Sequence, residues 1–301
     1  MKINFQLLMV ISFLFSLEFE TKLGKCNLIF DEQFNSNSKE YILFIQNDLN
    51  NLVNEFGEVD KYPFEIFITN KINKFKKLTK GPTPEWGVGI AKINPPRIII
   101  KGTQLGKISY NRLNEILRHE LNHIYLFRTP NYHILPKWFV EGFASYWADE
   151  LTITKKIQIS SALWENRQFA LEGLKSFNLF NRIHANLAYA QSAVAIHVLI
   201  YFYGKNKLIE IIQKNSDNND FDNHFKKITY DTSLDFTYKY EKYLNKNFKW
   251  MFLLKSSNIL FISLPLILII GYFIKIRNNR LILKKWEEEE KLQYEDDEES
   301  Y

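Results

Sequence analysis

The sequence predicts an α+β fold: a small N-terminal sheet with a helix, then a helical half, then a single C-terminal transmembrane helix. Short runs of strand character fall between Asn27 and Lys101, around one stretch of helical spacing. From Tyr110 to Trp250 the chain reads as helical, broken near Thr129-Pro130, Leu135-Pro136 and Asn215 to Asp220. From Asn258 to Ile274 it is apolar without a charge, close to the shortest length that spans a bilayer as a helix.

The N-terminal element is a leader. Leu7 to Leu17 follows Lys2 and has the length of a signal-peptide core, so residues 1–25 read as a secretory signal peptide, with an uncleaved anchor as the alternative. Cys26 raises lipidation, but Lys25 directly before it argues against that. As the single cysteine, Cys26 also rules out an intrachain disulfide and a cysteine-ligated zinc site, so any metal must be held by His, Asp or Glu.

Asn27 to Phe30 reads as a short strand. Tyr41, Phe44, Ile45, Leu49, Leu52 and Val53 have helical spacing within Ser38 to Phe56, and Gly57 closes that helix. Phe64 to Thr69 alternates apolar and polar, as a half-buried strand does. Trp86 to Ile93 and Arg97 to Lys101 are two further strands, joined at Asn94-Pro95-Pro96 into a hairpin.

Pro265 and Gly271 interrupt the C-terminal apolar run, which a membrane helix tolerates. Lys275, Arg277, Arg280, Lys284 and Lys285 follow it, so that end faces the cytoplasm. The expected organisation is a domain over residues 27–250 outside the cytoplasmic membrane, one span over 256–275, and a charged cytoplasmic tail over 276–301, disordered or loosely helical. The formal charge of +5 hides an acidic run from Glu287 to Glu299. The basic residues are scattered and no nucleic-acid motif accompanies them, so they read as solvated surface and no nucleic-acid partner is expected.

The chemistry lies in His119-Glu120-Leu121-Asn122-His123, inside an apolar-periodic stretch from Leu113 to Phe127. Residues four apart share a helix face, so two imidazoles can converge on one ion with Glu120 beside it. Catalytic zinc takes three protein ligands and keeps one position open. Glu141 is the candidate third ligand. It sits in Pro136-Lys137-Trp138-Phe139-Val140-Glu141-Gly142-Phe143-Ala144-Ser145-Tyr146-Trp147, a second helix whose neighbouring positions are apolar. A carboxylate on a buried face needs a partner or a metal. Gly142 and Ala144 would let that helix cross the first closely. The other histidines, His133, His184, His197 and His224, lack ligand spacing, and His197 is the one expected to be buried.

With these residues, the chain resembles the peptidase MA-like (gluzincin) zinc metallopeptidases of bacteria and archaea, in which HExxH precedes a W-x-x-EG-x-A-x-Y helix. Glu85 to Gly89 with Arg97 to Ile100 is similar to the family's paired strands. Leu187-Ala188-Tyr189-Ala190-Gln191-Ser192, followed by Tyr203-Gly204, is similar to its "Y-A-Q-S … YG" helix, and Phe221 to Trp250 to its closing helical segment. The resemblance covers roughly Asn27 to Trp250. It implies a twisted sheet over a zincin-like helical half, a Zn2+ cofactor on His119, His123 and Glu141, and a peptide or protein substrate. Glu120 would be the general base, and Tyr189 the oxyanion stabiliser, as related gluzincins use a tyrosine downstream of the third ligand. Some gluzincins carry an acidic residue four positions after the third ligand to support a zinc histidine. Here that position is Ser145, and Asp149 is the substitute candidate.

An intramembrane protease is disfavoured because the HExxH helix is amphipathic. Two alternatives stand beside a peptidase: a catalytically silent, membrane-tethered binding module, and a zinc hydrolase acting on a non-peptide amide. The complete set His119, Glu120, His123 and Glu141 favours an enzyme.

Overall fold

A computed structural model describes residues 15–31, 38–81, 87–174, 182–217 and 219–299. The chain forms two units, residues 1–249 and 250–301. Among the described residues, the first unit holds β1 (Phe15–Thr21), β2 (Gly24–Phe30), α1 (Ser38–Phe56), β3 (Phe64–Thr69), α2 (Ile72–Thr79), β4 (Gly89–Lys92), β5 (Arg97–Lys101) and the short α3 (Thr103–Gly106). The sheet order is β1-β2-β3-β5-β4. The β2–β3 and β3–β5 pairs are parallel, and the outer pairs β1–β2 and β4–β5 are antiparallel hairpins.

The helix Ser38–Phe56 falls where its apolar spacing predicts, and Gly57 (φ 100°) ends it in the left-handed conformation that glycine adopts at least cost. Phe64–Thr69 differs from the predicted half-buried strand. It lies between two parallel neighbours and is covered on both faces. Phe67 joins Ile29, Ile99 and Phe75 of α2 on one side, while Ile66 and Ile68 are buried on the other. The β4–β5 hairpin forms as expected, with β4 confined to Gly89–Lys92; Trp86 lies outside the described residues.

Most of Leu7 to Leu17 also lies outside the described residues. The end of the segment read as a leader, however, is built into the sheet. β1 pairs with β2 from Phe15↔Phe30 to Thr21↔Gly24, and Leu23 in the turn is fully buried. The Leu23 carbonyl accepts from the Arg128 guanidinium, which lies 4.0 Å from the Tyr62 ring centroid. Composition marked these residues as leader; their cross-strand pairing is a long-range property that composition does not carry.

The helical half holds α4 (Tyr110–Leu126), a 3-10 turn at Tyr132–Ile134, α5 (Lys137–Trp147), α6 (Ile153–Trp164), α7 (Arg182–Tyr203), α8 (Lys205–Gln213), α9 (Phe221–Thr229) and α10 (Ser233–Asn247). Leu113, Leu117, Leu121 and Ile124 fix α4 into the core, each burial stabilising by roughly 1.5–3 kcal/mol. α4 packs on β4 and β5 and against α1 and α5, which puts its second half between the sheet edge and the helices. α7 is long and apolar enough to cross a membrane, but 67% of its apolar window is buried inside the protein, as in a core helix.

The second unit contains α11 (Ser256–Glu299), a 44-residue helix with Pro265 inside it. The tail expected to be disordered or loosely helical is helical through Glu299. Leu264, Leu266, Ile267, Leu268, Ile269, Ile270, Phe273 and Ile274 are all exposed along α11.

Candidate metal centre

Ser109 caps α4 by accepting from the Arg112 amide, which fixes the phase of the helix that follows. That phase buries His119, Glu120 and His123 together. The two histidines present Nε2 to one point, 3.1 Å apart. Glu141 of α5 reaches the same point: its Oε2 is 3.4 Å from His123 Nε2 and 3.7 Å from His119 Nε2. These three atoms form the His-His-carboxylate group able to hold a metal ion. A tetrahedral ion with bonds of about 2.0–2.1 Å requires ligand atoms about 3.3 Å apart, and the three separations bracket that value. Two imidazoles and a carboxylate are donors that suit zinc. The residues present therefore fit the metal that the sequence implies.

The other carboxylate oxygen of Glu141, Oε1, is 2.6 Å from Lys137 Nζ one turn earlier, leaving Oε2 for the ion. Burial pushes the Glu141 carboxyl up, but His123, Lys137 and His119 outweigh it and hold it well below the usual range, so it stays anionic. Burial likewise pushes His119 down, and the carboxylates of Glu150, Glu141 and Glu120 more than reverse this.

The closeness of α5 to its neighbours comes from two small residues with different partners. A side chain on Gly142 would put its Cβ 2.3 Å from the Ser192 carbonyl oxygen, so Gly142 admits α7 rather than α4. The contact to α4 is made nearby, where the Ala144 carbonyl accepts from Asn122 Nδ2 at 3.2 Å. Drawing α7 onto α5 brings Tyr189 to the site, its ring 6.0 Å from that of His119. Burial, reinforced by Glu141, Glu120 and Glu150, raises the Tyr189 hydroxyl well above its ordinary value and keeps it protonated.

Glu120 faces the sheet edge. Burial pushes its carboxyl up to about 7; the His119 ring and the Ala91 N–H of β4 pull against this, and Glu141 and Glu150 add to it. A cleft of about 430 Å³ opens over these groups, bounded by β4, Phe75, Phe127, Tyr132 and Val140.

The support for His119 is Glu150, which the sequence reading missed. Its Oε2 is 3.8 Å from His119 Nδ1, and the carboxylate is also held by Lys155 (3.1 Å) and Arg112 (3.4 Å). α5 ends in a Schellman turn: the Asp149 N–H bonds the Tyr146 carbonyl, the Glu150 N–H bonds the Ser145 carbonyl, and Asp149 takes a left-handed φ of 54°. That turn sends Asp149 to solvent and folds Glu150 back into the interior. Asp149 therefore does not reach the histidine, and Ser145 is buried, its carbonyl holding the Glu150 N–H. His224, not His197, is the buried histidine outside the site, against the Ile211 carbonyl and Asn131.

No curated protein matches this chain. Among solved structures, it is similar to a mutant M1 zinc metallopeptidase from Deinococcus radiodurans bound to a Tyr-Ser-Ala substrate, at 12% identity and a TM-score of 0.46, covering 77% of this chain and 51% of that one. An M1 zinc metallopeptidase from the same organism aligns at 13% identity and a TM-score of 0.43, over 77% and 52%. The chain thus spans about half the length of the solved structures it matches. The family described as the Peptidase MA superfamily matches residues 45–244, well over half of the sequence and including every residue of the centre described above, and the chain belongs to that superfamily.

Proposed function

We propose that this protein is a zinc-dependent metallopeptidase that hydrolyses peptide bonds in the cleft between β4 and α4. The observation that carries this reading is the convergence of His119 Nε2, His123 Nε2 and Glu141 Oε2 at the separations a tetrahedral ion needs, with Glu120 beside them. Zinc held there would supply a Lewis acid that polarises the peptide carbonyl and acidifies a water. The protein's own groups do the rest. Glu120, with its carboxyl near 7, can take the proton of that water and pass it to the departing amine. Tyr189, kept protonated, can donate to the oxygen on which charge develops. β4 is the last strand of the sheet, so an extended peptide can pair along it and be drawn across the site.

The same reading gives the protein a membrane tether. The uncharged run Asn258–Ile274 would span the cytoplasmic membrane with the cations from Lys275 onward inside it and the catalytic unit outside. Support comes from the exposed leucines and isoleucines of α11, which need an apolar surround. Protease protection of a C-terminal tag in intact cells tests the topology.

The deciding experiment for the activity is zinc content measured together with cleavage of a peptide library. The wild type should hold one zinc per chain and cleave. Glu120→Gln should hold zinc and lose roughly 10²–10⁴-fold in turnover. Unchanged turnover in that variant removes Glu120 as the base, and absence of zinc from the wild type removes the activity.

A further inference from the structure

Past Tyr189 the cleft continues into a second compartment of about 190 Å³ that shares Gly87, Gly89, His119 and Glu120 with the first. Its walls carry three cations, Arg112, Lys155 and Arg182. Glu150 stands among them and carries a single charge, already divided between Lys155, Arg112 and His119. Arg112 has a second partner in Glu115, at 2.6 Å. Arg182 opens α7, is exposed, and has no ion pair among the described residues. Three cations thus face two buried carboxylates, Glu150 and Glu120, and Arg182 is the cation left without an ion pair among the described residues, next to the reacting groups and open to solvent.

Strand direction says which end of a substrate arrives there. β4 runs from Gly89 to Lys92, and its antiparallel partner β5 covers only one of its edges. A peptide added to the other edge in the more stable antiparallel sense has its C-terminal half beside Gly87 and Val88, which line this compartment. We infer that Arg112, Lys155 and Arg182 form a carboxylate subsite on the C-terminal side of the scissile bond, taking either an acidic side chain or the free C-terminal carboxylate of a short peptide. This inference rests on the peptidase reading for the direction of the substrate, but not for the binding of the carboxylate.

Binding to the full-length Glu120→Gln protein, zinc-loaded in detergent micelles, tests it without requiring turnover. Fluorescent peptides of one sequence are compared by anisotropy in two arms: an internal Asp against Asn, and a free C-terminal carboxylate against its amide. In at least one arm the carboxylate form should bind about tenfold tighter, and the arm that responds identifies the source of the charge. Adding Arg182→Glu should erase that ratio, whereas Arg182→Lys should retain most of it. If neither carboxylate strengthens binding, or if the gain survives Arg182→Glu, the subsite is overturned. A protein that shows the ratio but whose wild type cleaves nothing keeps the subsite and loses the peptidase reading. One that cleaves with no such ratio keeps the activity and loses the subsite.

Discussion

A Cβ atom built on Gly89 would stand 2.7 Å from Glu120 Oε1 and 2.8 Å from Ile116 Cγ2. The strand and the helix are thus packed so that the carboxylate of Glu120 occupies the space a side chain at position 89 would take. The first neighbour of Gly89 is therefore the carboxylate of Glu120. The Glu120 carboxylate is the end of a flexible chain and can swing aside, whereas Ile116 Cγ2 is fixed close to the backbone of α4, so Gly89→Ala should displace Glu120 and push β4 slightly off that helix. Zinc binding should then persist while hydrolysis falls by roughly 10²-fold or more, since that carboxylate is the proposed general base. Metal analysis beside turnover of Gly89→Ala checks this, and a loss of zinc in proportion to activity would point instead to a collapsed site.

Glu150 offers a different separation of effects. Its carboxylate is held below the usual range because His119, Lys155 and Arg112 together outweigh the upward push of burial. It therefore remains an anion 3.8 Å from His119 Nδ1, where its charge favours a proton on that nitrogen and leaves Nε2 as the lone-pair donor. Glu150→Gln should weaken zinc affinity by about 10- to 100-fold. Asp149→Asn, one residue earlier and in solvent, should leave affinity unchanged. Competition with a chromophoric chelator measures both. Equal effects at the two positions would contradict the assignment of Glu150.

That pair also marks where the sequence stops being readable. His119, Glu120, His123 and Glu141 were legible because helical periodicity alone places the first three on one segment, and because a carboxylate among Trp138, Phe139, Val140 and Phe143 has no inexpensive alternative to a partner. The edges of α1 and β3 were legible for a similar reason: local spacing and a closing glycine determine them. Glu150 was not, because its direction depends on a left-handed residue that happens to be Asp149, and non-glycine residues take that conformation too seldom to be expected. The strand Phe15–Thr21 was hidden by the apolar stretch before it, and the partner of Gly142 by the distance in sequence to Ser192.

Gly142 leads to a stability prediction. The atom its Cβ would meet at 2.3 Å is the backbone oxygen of Ser192, with the Ser192 carbonyl carbon at 2.7 Å, so no side-chain rotation relieves the clash. α7 must move away from α5, opening the packing around buried Val194, Ile196 and Phe143. Gly142→Ala should therefore destabilise the protein by about 1–3 kcal/mol or more, despite the higher helix propensity of alanine. Tyr189 would retreat from His119 as part of the same shift. Thermal unfolding of the metal-free protein should show a fall of several degrees, about 2–4 °C per kcal/mol for a domain of this size. An unchanged or raised midpoint would mean that the two helices are not held at this distance.

Asp31 sets an acid limit that is independent of the metal. It sits at the end of the central strands, accepting from Thr69 Oγ1 and the Asn70 N–H at 2.9 Å each, with Lys74 Nζ at 3.0 Å. Burial pushes its carboxyl up, but the Asn70 N–H, Lys74 and Thr69 together outweigh this and leave it below its ordinary value. Because the folded state favours the charged form, the unfolded chain binds more protons through this group as the pH falls. Its contribution is therefore complete above the ordinary carboxylate range and is lost as the pH drops through the lowered value. Asp31→Ala should cost about 1–3 kcal/mol at neutral pH, and the gap from wild type should close as the medium is acidified below about pH 4. Urea unfolding of both proteins in the presence of chelator, repeated from pH 7 down to pH 3, measures that gap. A difference that stays constant over the whole range would show that the clamp between β2 and the start of α2 acts through shape and not through the charge of Asp31.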